Sequence, residues 1–147
     1  MMFSDRFAIT LSDFNQEFFD SLDDNYQIKG PALGQEQYFH TILVDGLRAG
    51  VVGYLPPRNV LLDDAGFVQI VLAPEFRGRG LIGPIYELLA ERHGLKTLYG
   101  TVTKKNTLSL RAHEKIGFRL LSEEKMADLR RRGLLGEDEV RLEKEIS

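Results

Sequence analysis

The chain's first apolar run, Phe7-Ala8-Ile9-Thr10-Leu11, reads as a short strand, and Ser12-Asp13 then offers a helix N-cap. Phe14, Phe18, Phe19 and Leu22 recur at i, i+4, i+5 and i+8, one stripe of an amphipathic helix. Residues 23–37 carry little beyond Gly30-Pro31 and Gly34 as punctuation. Residues 38–44 and 47–55 form the two arms of a hairpin about Asp45-Gly46, a pair that accepts the positive φ of a two-residue turn. Pro56-Pro57 ends the second arm, and Asp63-Asp64-Ala65-Gly66 reads as the next turn. Residues 67–72 are apolar except for Gln69, the pattern of a strand covered on both faces.

Leu81, Ile85, Leu88 and Leu89 mark a helix that Gly94 ends, and residues 97–103 alternate as a strand. Leu108, Ala112 and Ile116 predict a helical stripe up to Gly117. Residues 118–121 and 140–146 predict two final strands, with Arg130-Arg131-Arg132-Gly133 in a solvated loop between them. No repeat or linker divides this order, which predicts a single domain over residues 1–147, of α/β (α+β) class, with helices on the faces of a mixed sheet.

Composition narrows the chemistry. Of 147 residues, 43% are hydrophobic and 28% charged, values ordinary for a folded domain. The absence of cysteine excludes a disulfide-stapled module, a zinc finger and a thiol nucleophile. His40, His93 and His113 are too scattered to predict a metal site. With no long apolar run, the expected setting is cytoplasmic, without membrane contact.

Charge is segregated. Residues 1–76 hold 4 Lys/Arg against 11 Asp/Glu, a net of −7; residues 77–119 hold 9 against 3, a net of +6; residues 120–147 hold 6 against 8, a net of −2. A basic middle between acidic flanks points to an anionic ligand handled by residues 77–119. Within it, Arg77-Gly78-Arg79-Gly80-Leu81-Ile82-Gly83 leaves a buried strand and opens a helix. Such a turn presents unpaired backbone N–H groups to a phosphate, and glycine lets the ligand approach. The loop lacks the Lys-Ser/Thr of a P-loop. Gly78-x-Gly80-x-x-Gly83 spells a dinucleotide fingerprint, but it lies mid-chain and residues 97–103 end without an acid for a ribose.

In this arrangement the chain resembles the GNAT acetyltransferase superfamily. Arg77-x-x-Gly80-x-Ile82 follows the family's [RQ]-x-x-G-x-[GA], with Ile82 in the last small-residue position and Gly83 one place later. Asn106-x-x-Ser109-x-x-Ala112-His113-Glu114-Lys115-x-Gly117-Phe118 is in register with its second motif, so the resemblance covers residues 67–118. It implies a mostly antiparallel sheet of about seven strands, splayed between the fourth and fifth, here residues 67–72 and 97–103. It implies acetyl-CoA as cofactor, with its pyrophosphate on the backbone of Gly78, Arg79, Gly80, Leu81, Ile82 and Gly83 near the Arg77 and Arg79 side chains. The pantetheine arm would pair with Val71 and Leu72, steered by Asn106. His113 stands where the family commonly has a tyrosine that protonates the leaving thiolate. A protonated imidazole is the stronger acid, so His113 is the candidate catalytic residue, against the plainer reading of a packed side chain.

His93 reads as a helix C-terminal cation, His40 as a strand residue facing core or cleft, and no carboxylate stands out as the base. The expected activity is transfer of an acetyl group to a small-molecule or peptide amine by direct attack in a ternary complex. A homodimer is compatible with the sequence, and no nucleic-acid partner is expected. The alternative is an acyl-CoA-binding module without catalysis. A winged-helix regulator would need a second helix just before residues 109–118, where a strand is predicted, and the pI near 5.6 opposes it.

Overall fold

The structure, a computed structural model, describes residues 2–3, 7–57 and 64–146. Eight strands make one sheet: β1 (Met2–Phe3), β2 (Ala8–Asp13), β3 (Phe39–Val44), β4 (Leu47–Leu55), β5 (Ala65–Leu72), β6 (Thr97–Thr103), β7 (Arg119–Leu120) and β8 (Glu139–Glu145). Their order is β1-β2-β3-β4-β5-β6-β8-β7. All the pairs are antiparallel except β5 with β6. The seven strands read from the sequence are all present, and the two-residue β1 adds an eighth at the edge. The helices are α1 (Gln16–Ser21), α2 (Ile82–His93), α3 (Thr107–Lys115) and α4 (Glu123–Arg131).

Alternation along the strands sends Ile9, Ile42, Val51, Leu98 and Leu142 into the core, where Ile85 and Leu89 of α2 join them. Asp45 and Gly46 both take positive φ, 50° and 82°, as the two-residue hairpin requires. Gly94, at φ 65°, ends α2 by returning its N–H to the Ala90 carbonyl. β6 runs directly into the turn before α3, which removes the second helix a winged-helix reading needs.

Several local expectations are corrected. β2 continues to Asp13, so α1 is capped by Asn15, whose side chain accepts from the Phe18 N–H, and not by Ser12 or Asp13. Residues 25–27, 31–33 and 36–38 form short 3₁₀ turns. Ala65 and Gly66, expected in a turn, open β5 instead by pairing with Thr97 and Leu98; Asp63 lies outside the described residues. The middle of β5 is half-buried, because its β6 side opens onto a cleft. On α3 the inward face is Ser109, Leu110, His113 and Ile116, while Ala112 is exposed and Leu108 is 80% exposed. The segment carrying Arg130 and Arg131 is the helix α4, started by a Ser122 side chain that accepts from Lys125 N–H. It is so charged that Met126 is its one buried residue, which leaves almost no apolar period to read.

Two packing details carry consequences. Gly83, in the first turn of α2, is buried, and a Cβ there would lie 3.1 Å from Ile116 Cγ2 at the end of α3. The glycine sets how closely the two helices approach. Gly83→Val is therefore expected to destabilise the fold by about 1–3 kcal/mol through overpacking. Pairing it with Ile116→Ala should recover part of that loss in urea melts; no recovery would place the strain elsewhere.

His93, expected only as a helix C-terminal cation, instead meets His40, with their Nε2 atoms 2.7 Å apart and the Tyr38 and Tyr54 rings packed on His93. His40 is buried, and burial, then the neighbouring His93 and Arg92 charges, lower its pKa to about 4; burial first, then Arg92, also lowers that of His93. A depressed imidazole pKa means that the unfolded chain binds the proton first. Stability is thus full above about pH 6.5 and is lost as pH falls from there towards 4. Denaturant melts should show a loss of about 2 kcal/mol across that window. His40→Leu should flatten it, and an unchanged slope in that variant would exclude the pair as its source.

Candidate active site

β5 and β6 are joined by three residue pairs, Ala65 with Thr97, Gly66 with Leu98 and Phe67 with Tyr99. Beyond them β5 stays with β4 as far as Leu72 opposite Gly50, and β6 stays with β8 as far as Thr103 opposite Glu139. The two strands part, and the gap between them is a cleft of roughly 550 Å³ lined by Val68, Gln69, Ile70, Tyr86, Gly100, Thr101, Ser109, His113, Glu139 and Arg141, among others. This is the splay expected between residues 67–72 and 97–103. Ala73 N–H, just past β5, bonds across to the Ala49 carbonyl of β4, so alternation turns the peptide groups of Leu72 and Ile70 towards the open side. Val71 and Leu72 have buried side chains, and the Leu72 carbonyl is taken by Arg77 Nε at 3.0 Å.

The loop after β5 makes one 3₁₀ turn, residues 74–76, and then reaches α2. Gly78 and Gly80 take φ of 71° and 72°, and the space where a side chain would stand is open at both. Leu81 occupies the N-cap of α2 without any side-chain cap, so the first-turn amides carry the positive end of the helix with no side chain among the described residues bonded to them. Pro84 is tolerated in this turn, where its missing N–H costs no helical bond. Leu81 is buried and Ile82 partly buried. The two arginines differ. Arg77 reaches back to Asp24 Oδ2 at 2.6 Å, tying the loop to the 3₁₀ segment across the sheet. Arg79 lies exposed over the Phe76 ring, 5.7 Å from its centroid.

His113 projects into the cleft from the inward face of α3. Its Nδ1 lies 2.7 Å from the Ser109 carbonyl, which can only accept, so Nδ1 carries a hydrogen and donates it. That leaves Nε2 as the atom that gains or loses a proton, 3.5 Å from the Tyr86 hydroxyl. The imidazole stands edge-on to Phe118 at 5.1 Å, which fixes its plane. Tyr86 is fully buried, and burial raises its phenol pKa. Asn106 caps α3, its Oδ1 accepting from Ser109 N–H at 3.1 Å, so only its amide nitrogen is free to meet a ligand.

The opposite face of the gap is polar. Gln69 Oε1 accepts from the backbone N–H groups of Lys29 and Gly30 at 3.0 and 3.1 Å, holding the 3₁₀ segment over β5. Glu139 is the one carboxylate among the described residues that line the cleft, with Oε1 accepting from Gly136 N–H at 2.8 Å. Arg141 is buried, its guanidinium 4.7 Å from the Phe67 ring centroid, and burial pulls its pKa below the ordinary arginine value. The structure thus gathers His113 and the middle of β5 at one cleft, whose lining stops at Ile70 and includes neither Val71, Leu72 and Asn106 nor a residue of the glycine loop, and it leaves His40 and His93 out. Sequence reasoning missed Tyr86, Glu139 and Arg141. An arginine inside an apolar alternating strand was the available signal for Arg141, whereas Tyr86 is indistinguishable in sequence from the core stripe around it.

The comparisons agree with this geometry. The Campylobacter jejuni N-acetyltransferase PseH in complex with acetyl coenzyme A superposes with a TM-score of 0.63 at 15% identity, over 95% of this chain and 100% of that one. A Bacillus subtilis acetyltransferase in complex with CoA gives 0.64 at 17%, over 97% and 100%. N-acetylglutamate synthase from Neisseria gonorrhoeae, complexed with coenzyme A and N-acetyl-glutamate, gives 0.62 at 16%, over 95% of this chain and 35% of that one. At such identities the likeness is one of fold. No curated protein sequence matches the chain. The acetyltransferase (GNAT) family profile matches residues 3–118, which contain the parted strands, the glycine loop and α3, and the chain belongs to that family.

Proposed function

We propose that the protein is an acetyl-CoA-dependent N-acetyltransferase that acts on a primary amine by direct attack in a ternary complex. The observation that carries the reading is the parting of β5 from β6 with His113 lining the gap, where β5 leads into a glycine loop whose helix has no side-chain cap. The loop fits a phosphate-bearing group. Its positive-φ glycines leave open space for close approach, and the first-turn amides of α2 have no side-chain partner among the described residues. In this reading the backbone of Gly78, Arg79, Gly80, Leu81, Ile82 and Gly83 holds the pyrophosphate, and Arg79 adds charge at the rim. Arg77, clasped to Leu72 and Asp24, keeps the loop in place. Val71 and Leu72 border the slot for the arm, and the amide of Asn106 meets it from the start of α3.

Acetyl-CoA supplies the acyl thioester and, in its thiol half, the leaving group. Glu139 takes one proton from the incoming ammonium, which restores the lone pair for attack, and the nitrogen's second proton leaves to water as the amide forms. His113 holds a proton on Nε2 and releases it to the departing sulfur, while the bond from Nδ1 to the Ser109 carbonyl keeps the ring's tautomer and direction fixed. The acceptor is a small-molecule or peptide amine. A binding role without catalysis is not favoured by any feature of the cleft.

Two measurements test this. Gly80→Val forces a side chain onto a left-handed backbone, at a cost of about 1–2 kcal/mol, and is expected to reshape the loop and weaken coenzyme A binding about tenfold in calorimetric titration. Unchanged affinity in a folded variant would remove the loop from the site. His113→Phe is expected to lower kcat by roughly 10²–10⁴-fold at saturating acetyl-CoA. His113→Tyr should retain more activity and carry the alkaline fall of kcat to higher pH, because a phenol holds its proton longer than an imidazole. A Phe variant with normal kcat and an unmoved alkaline limb would return His113 to a packing role.

A further inference from the structure

Arg141 feels the charge of Glu139 but makes no ion pair with any described residue. It is only 8% exposed, yet no carboxylate among the described residues lies within 4.0 Å of its guanidinium. Its bonds are to neutral oxygens: Nε to Thr101 Oγ1 at 3.0 Å and Nη2 to the Leu134 carbonyl at 3.4 Å. Nη1 makes no bond to the described protein, and the side chain lines the cleft. Glu139 stands two residues away on the same face, beyond ion-pair reach, with one oxygen tied to Gly136. Removing a charge from water is costly unless a partner is supplied, and here the partner's place opens on the cleft.

The placement says which partner. A Cβ at Gly100 would face His113 and Phe118, so Thr101, the next residue, points to the opposite face of the sheet, and Arg141 is bonded to it there. α2, whose N-terminus the glycine loop opens, lies on the face of His113, since Tyr86 touches that ring. Arg141 therefore meets whatever enters from the side away from the phosphate loop. Lys29 lines the same cleft, so a polyamine would face two cations there. Resting on the acetyltransferase reading, we propose that Arg141 binds a carboxylate of the acceptor, and that the acceptor is an amine carrying a free carboxylate, as an amino acid does. The guanidinium, 4.7 Å from the Phe67 ring centroid, offers its unbonded Nη1 to the carboxylate, while Glu139 on the same strand face receives the ammonium.

The test compares acceptors that differ only in that group: the twenty common amino acids, their carboxamides, and 1,4-diaminobutane, scored by kcat/KM for thiol release from acetyl-CoA. The wild type is expected to prefer at least one acid over its own amide. Arg141→Met should reduce that acid-to-amide ratio by roughly 10–100-fold, with Arg141→Lys in between. A ratio that does not move, or a wild type that prefers amides or the diamine, overturns the proposal. Saturation-transfer NMR of the same acids and amides on the protein, with and without coenzyme A, covers the case of no turnover. Acid binding that Arg141→Met abolishes supports the arginine's role even if catalysis fails, and no acid binding in either state overturns it. Loss of coenzyme A binding alone would instead count against the acetyltransferase reading.

Discussion

The decisive constraint is that β5 and β6, the sheet's parallel neighbours, hold each other for three residue pairs and then separate. A parted pair leaves backbone groups on two strand edges without their usual partners, which an ordinary sheet cannot tolerate in its middle. The fold bears it because each strand remains fully laddered on its other side, β5 to β4 and β6 to β8. Side chains then brace the opening. Arg77 takes the Leu72 carbonyl at the top of β5, and Gln69 holds the 3₁₀ segment across its middle. Tyr86, His113 and Phe118 fill one side with rings set edge-on or tilted to one another.

The electrostatics follow the same geometry. The positive end of α2 follows the glycine loop, with Arg79 exposed over Phe76, whereas Arg141 and Lys29 line the cleft itself. Arg77 belongs to the basic stretch by sequence but spends its charge on Asp24, so the local excess of arginine overstates the charge available to a ligand.

The three histidines show how far environment decides chemistry. His113 keeps one nitrogen on a carbonyl and offers the other to the cleft. His40 and His93 face each other in the sheet–helix contact, where burial holds them neutral, and Tyr38 and Tyr54 close around His93. All three share one side-chain chemistry; the first lines the cleft, and the other two are held by burial in the form that carries no charge.

The sequence by itself determined the strands, because period-two alternation and the Asp45-Gly46 pair are local signals that tertiary context did not override. It determined the glycine loop and its helix for the same reason: residues 71–83 are contiguous, and strand, turn and N-terminus follow each other in the chain. His113 was legible as a departure within a motif in register. What the tertiary structure decided was everything assembled across distance. The direction of α3 depended on which face met Gly83 and Gly100, so the apolar Leu108 lost to Ser109 and His113. The helix α4 rests on a cap and one buried methionine and therefore had no period to show. His40 finds His93 across 53 residues of chain, Arg77 finds Asp24 across the same span, and Arg141 meets Thr101 across 40. Such contacts are set by strand register and helix docking, which fix positions only once the whole sheet has formed, and no local pattern in the chain encodes them.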